Sequence, residues 1–170
     1  MATDRVHVAV SGGGDADAQA CRLAEEVGQE LARRGAVVVT GGLGGAMEAA
    51  CRGAKHGGGT TVGILPSDDR ADANAWVDVA VPTGLGEGRN ALVVRAADAV
   101  VAVAGEFGTL SEIALALRLG RPVVGLGTWE LARDGRTVPA IVVAGTPAEA
   151  AEAAVSLGRA RAGSAPPTGS

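Results

Sequence analysis

The stretch VAVAGEFGTLSE, Val101 to Glu112, decides the fold. Its apolar run ends at Ala104, turns through Gly105 and Gly108, and restarts as a helix at Thr109. The run is short and rich in valine, which favours a strand over a helix. A strand that passes to a helix through glycines is the joint from which α/β sheets are built.

The same joint recurs on either side. Arg5 to Val10 (RVHVAV) reads as a strand, SGGGD follows, and Asp15 to Arg34 reads as a helix with Asp15 as its N-cap. Ala36 to Thr40 (AVVVT) is a strand, GGLGG follows, and a helix is expected from Ala46 to His56. Further strands are expected at Thr60 to Pro66, Val77 to Pro82, Asp98 to Ala104, Arg121 to Gly127 and Pro139 to Ala144. Further helices are expected at Arg89 to Ala97, Thr109 to Leu119 and Pro147 to Leu157, with Asp134-Gly135 as a turn. Strands apolar on both faces, alternating with helices, predict a Rossmann-like three-layer α/β/α domain with a mainly parallel sheet of about seven strands. The domain should span residues 1–160, with a disordered tail over 161–170.

Composition narrows the function. The chain has 170 residues and a net charge of −4, with Lys55 as its one lysine. An acidic chain without a basic run is a poor nucleic-acid binder. No apolar stretch is long enough for a membrane span, and the amino-terminal residues lack the apolar core of a signal peptide. Cys21 and Cys51 form no CxxC pair, so reduced thiols and a cytoplasmic protein are expected. His7 and His56 have no ligand-like spacing, so no metal site is expected.

Glycine makes up 27 residues and clusters after strands, at Gly12–Gly14, Gly41–Gly45 and Gly105–Gly108. In a parallel sheet these turns gather at the carboxyl ends of the strands, where ligands bind. Helix N-termini there present free amides and partial positive charge, and glycine lets a ligand approach the backbone. A small phosphate ester is therefore the expected partner, held by Gly12, Gly41, Gly42, Gly44, Gly45, Gly105, Gly108 and Thr109. The alternative is that the clusters are only tight turns. SGGGDA lacks the last glycine of the dinucleotide fingerprint, and no G-K-[ST] occurs, so NAD and ATP are disfavoured.

Two charged residues join this set. Thr109-Leu-Ser-Glu112 has the form of a capping box, which would account for Glu112 structurally. A carboxylate one turn into the helix also faces whatever the phosphate carries. Arg89 opens a helix against the dipole, a placement that costs stability and suggests a functional reason. Trp76, Phe107 and Trp129 are the three aromatics, and Phe107 or Trp129 could stack a planar base or simply pack beneath a loop.

RNALVVRAADAVVAVAGEFGTLSE, residues 89–112, resembles the paired signature of the LOG-type family, once labelled possible lysine decarboxylases. That signature has an Arg-Lys helix start, an Ala-Asp-Ala strand, and P-G-G-x-G-T-x-x-E. GGLGGAMEAA resembles the family's earlier glycine loop, and the likeness runs from about Val6 to Val124. It looks nearest a subgroup that includes molybdenum-cofactor carrier-like proteins. The resemblance implies a homodimer and, in enzymatic members, hydrolysis of nucleoside 5′-monophosphates to free base and ribose 5-phosphate. Its catalytic pair falls on Arg89 and Glu112, and Ser11, Met47 and Asn90 join the expected ligand-binding set. The alternative it implies is a carrier for a phosphorylated cofactor or an oxyanion, without turnover. Nothing supports pyridoxal phosphate, and no resident cofactor is expected. Three positions depart from the pattern: Ala104 for proline, Glu106 for the second glycine, and Asn90 for lysine. Glu106 puts a carboxylate where an anion should sit, and in a turn expected to favour glycine.

Overall fold

The computed structural model describes residues 5–164. Strands β1 (His7–Ser11), β2 (Val37–Thr40), β3 (Thr60–Leu65), β4 (Val79–Pro82), β5 (Ala99–Val103) and β6 (Val123–Leu126) belong to one sheet. Residues Ala132–Arg133 (β7) and Arg136–Thr137 (β8) form a small hairpin around Asp134-Gly135, and β9 (Ile141–Val143) completes the main sheet. The seven strands are ordered β4-β3-β2-β1-β5-β6-β9, and every pairing is parallel. Helices α1 (Ala18–Arg33), α2 (Ala46–His56), α3 (Asn90–Arg95), α4 (Phe107–Arg118) and α5 (Pro147–Ser164) supply the crossovers and outer layers.

Side chains alternate across the sheet with the strand period of two. Val8, Val10, Val101 and Val103 face a core shared with α1, α2 and α5, whereas Ala9, Val100 and Ala102 face α3 and α4. With so few aromatics, the layers close through alanine and glycine. A Cβ on Gly28 of α1 would sit 2.0 Å from the Ala50 carbonyl oxygen of α2, and one on Gly53 of α2 would sit 1.8 Å from the Glu25 oxygen of α1. The two helices touch backbone to backbone, as no larger residue permits.

The strand order reverses between β1 and β5, because β2 leaves β1 in one direction and β5 flanks it in the other. At such a switch point the outgoing loops diverge and open a crevice at the carboxyl edge. Ser11 and the Gly12–Gly14 loop leave β1 there, and Ala104 to Glu106 leave β5.

Four local expectations are corrected. Helix α1 is capped by Asp17, whose side chain accepts from the Ala20 amide at 2.8 Å, so Asp15 stays outside it. Helix α4 starts at Phe107 behind Glu106, which makes no side-chain cap, so the Thr109–Glu112 capping box does not form. Glu106 has an ordinary extended backbone at φ −101°; the left-handed residues of this turn are Ala104 (φ 46°) and Gly105 (φ 97°). Proline is held near −65° and could not take the conformation of Ala104, so the departure from the family's proline comes with a different local backbone. Helix α5 continues to Ser164, so residues 161–164 of the expected tail are helical; residues 165–170 lie outside the described part.

Candidate functional site

A cleft of about 450 Å³ occupies the switch point. Its floor and walls come from the Gly12–Gly14 loop, from Met47 on α2, from Arg89 and Asn90 at the start of α3, and from Gly108, Thr109 and Glu112 on α4. Asp15, Leu43, Pro66, Gly86, Glu87 and Glu106 complete the lining. The three glycine clusters therefore do meet at one edge.

Arg89 is the charged centre. The chain enters α3 through a 3-10 turn at Gly86–Arg89, which draws the arginine inward until only 8% of it is exposed. Its Nη1 donates to Asn90 Oδ1 at 2.7 Å, while its buried Nε has no hydrogen-bond partner among the described residues. Gly41 makes room for the guanidinium: a Cβ there would fall 2.5 Å from Nη1 and 2.7 Å from the Met47 sulfur. Burial pulls the Arg89 pKa down, partly offset by attraction to Glu112. Among the described residues, no carboxylate lies within 4.0 Å to neutralise it. A cation this buried normally has a charged partner, because its desolvation is otherwise costly.

Glu112 projects from the second turn of α4 and accepts from the hydroxyl of Ser11 at the end of β1. Burial raises its pKa; the Ser11 hydrogen bond and Arg89 act against that shift. Ser11 itself is buried behind the cleft. Thr109, also buried, packs against Gly105 rather than capping α4.

Not every glycine reaches the cleft. Gly42 supports the loop from below: its amide donates to Thr40 Oγ1, and its carbonyl accepts from Asn74. Gly45 packs on the carbonyls of Gly13 and Gly14, Gly44 faces open space, and Gly105 borders a smaller neighbouring pocket. The expected convergence of three helix tips reduces to one. The tip of α1 is closed by Asp17, and the first amide of α2 donates to the Gly13 carbonyl at 3.0 Å. The first turn of α4 has no side-chain cap, and its Gly108 and Thr109 line the cleft.

Leu43 falls within the GGLGG loop, but Pro66, Gly86 and Glu87 are not marked by any motif in the sequence. They stand in loops that leave β2 and β3 or precede α3, and only the strand order brings these loops together. Phe107 and Trp129 pack on each other, with ring centres 5.6 Å apart, and Trp76 packs edge-on against His56. Val93 and Ile113 belong to the core, whereas Leu92 is partly exposed.

Residues 5–155 match the model of the SLOG cluster4 family. An uncharacterised protein of Archaeoglobus fulgidus is 41% identical over 121 residues, 71% of this chain and 80% of that one. The solved structure of the molybdenum cofactor binding protein from Rippkaea orientalis is 34% identical, with a TM-score of 0.81 over 90% of this chain and 97% of that one. The Moco carrier protein of Chlamydomonas reinhardtii is 35% identical, with a TM-score of 0.79 and the same coverage. The sheet, the glycine turns and the matched residues together place this chain in the SLOG cluster4 family.

Proposed function

We propose that the protein binds and carries a small phosphorylated cofactor of the pterin class, such as the molybdenum cofactor, without turning it over. The observation that carries this reading is Arg89, a buried guanidinium that lines an open cleft and has no carboxylate within 4.0 Å among the described residues. An incoming phosphate would supply the missing counter-charge, and charge-assisted contacts of this kind are strong. The uncapped start of α4 and the glycine loop after β1 would add amide donors. The names of the two solved relatives support the same ligand class. Net charge −4 with a single lysine argues against nucleic acid as the partner. No described helix is long and apolar enough to cross a membrane, which agrees with a cytoplasmic carrier. The reading includes a homodimer, for which the exposed Leu85 and Leu92 supply apolar surface; light scattering should return twice the chain mass.

A second reading, hydrolysis of nucleoside 5′-monophosphates, draws on the presence of Arg89 and Glu112 in one cleft. Glu112 would then stabilise positive charge on the ribose, as carboxylates do in glycoside hydrolysis. Its tie to Ser11 favours a positioning role over a carboxylate free to meet the ribose. Incubation with AMP, GMP, CMP and neopterin monophosphate separates the two. The carrier reading expects saturable binding of neopterin monophosphate by calorimetry, with the ligand recovered intact and no free base from the nucleotides. Base release that disappears in Glu112→Gln would establish the hydrolase instead.

A further inference from the structure

A second cavity, of about 510 Å³, adjoins the cleft and shares Glu87, Asn90, Gly108 and Glu112 with it. Phe107 lines its outer side and is 74% exposed, the most exposed aromatic of the chain. Trp129 packs on the ring from one side, and the rest of it, in water at the cavity mouth, offers a face for stacking.

The polar groups between the two cavities have a fixed pattern. Arginine can only donate, so the Arg89 contact must fall on the Asn90 oxygen. That contact commits Oδ1 and leaves the NH2 of Asn90, which lines both cavities, as a donor without a partner among the described residues. Glu87 makes no side-chain hydrogen bond or ion pair among the described residues and lines both cavities. An ionised carboxylate is an acceptor only. The shared wall thus presents an acceptor at Glu87 and a donor at Asn90, beside an aromatic face.

Resting on the carrier reading, we infer that the second cavity takes a planar 2-amino-4-oxo ring, the ring of pterins and of guanine. Its adjacent N–H and NH2 groups would donate to Glu87, its carbonyl would accept from Asn90, and Phe107 would stack on its face. Paired donors meeting one carboxylate make a bidentate contact, which is directional as well as strong. Adenine presents one donor beside a ring-nitrogen acceptor, and the lone pair of that nitrogen would face the Glu87 carboxylate. The acidic rim acquires a role in this arrangement. Asp15, Glu87, Glu106 and Glu112 around one arginine would repel a bare oxyanion, but they suit a ligand that brings hydrogen-bond donors with its phosphate.

Calorimetric titration with ribose 5-phosphate, GMP, AMP and neopterin monophosphate tests this. Ribose 5-phosphate reads the Arg89 site alone. GMP or neopterin monophosphate should bind at least tenfold tighter than AMP, and the tighter of the two identifies the source of the ring. Glu87→Gln should remove that preference, and Phe107→Ala should weaken GMP and neopterin monophosphate while leaving ribose 5-phosphate unchanged. Ribose 5-phosphate binding with equal affinity for GMP and AMP, or a preference that survives Glu87→Gln, would overturn the ring assignment and leave the carrier reading standing. Failure of all four ligands to bind would overturn the carrier reading itself.

Discussion

At the scale of single residues, buried Arg89 and half-buried Glu112 have opposite consequences. Arg89 is held charged at a cost in stability, because burial lowers its pKa and no described carboxylate pairs with it. Arg89→Met removes that cost and fills similar volume. The variant should melt at a higher temperature than the wild type, by the equivalent of about 1 kcal/mol or more. It should also lose about tenfold to a hundredfold in affinity for ribose 5-phosphate, the worth of about 1.5–3 kcal/mol for hydrogen bonds to a charged group. Scanning calorimetry and titration on one sample check both. For Glu112 the sign follows from its raised pKa. Between its ordinary value and its folded value, the folded protein holds a proton that the unfolded chain has released, so stability falls as pH rises through that window. Glu112→Gln cannot ionise. Its stability relative to wild type should therefore improve as pH is raised from below 4.5 towards neutrality, as urea titrations across that range would read. A difference that stays flat with pH would show that Glu112 ionises in the folded protein as it does in the unfolded chain.

At the scale of elements, the carboxyl edge is positioned by helices that pack through glycine. The α1–α2 contact admits no Cβ at Gly28 or Gly53. Gly53→Ala gains helix propensity of about 1 kcal/mol, yet it must push the two backbones apart. Overpacking of this kind costs about 1–3 kcal/mol or more, so the substitution should lower unfolding free energy in urea by about 2 kcal/mol. A neutral result would mean that the helices can separate freely. These elements are largely legible in the sequence. Runs such as Ala36 to Thr40 and Val101 to Ala104 are apolar without alternation, the pattern of a strand buried on both faces. Cap positions are less legible. Asp15 and Asp17 are equally good caps by type, and the choice of Asp17 depends on where the chain enters the sheet edge. Thr109 has the residue type of a cap without the position of one, because α4 starts two residues earlier with no polar cap, a start that side-chain chemistry does not mark.

At the scale of the whole molecule, the candidate site is a product of strand order. The reversal between β1 and β5 brings together loops from separate stretches of chain, and that is why the glycine clusters can be read individually whereas Pro66 and Glu87 cannot. The burial of Arg89 is hidden for the same reason: it depends on the missing side chain of Gly41, which leaves β2 far back along the chain. The central claim is that this single edge holds the phosphate of a small ligand. A crystal structure of the protein soaked with neopterin monophosphate tests it most directly. The phosphate is expected within hydrogen-bond distance of Arg89 and of amides in the Gly12–Gly14 loop or the first turn of α4. A ligand ordered elsewhere on the surface, with Arg89 untouched, would contradict it.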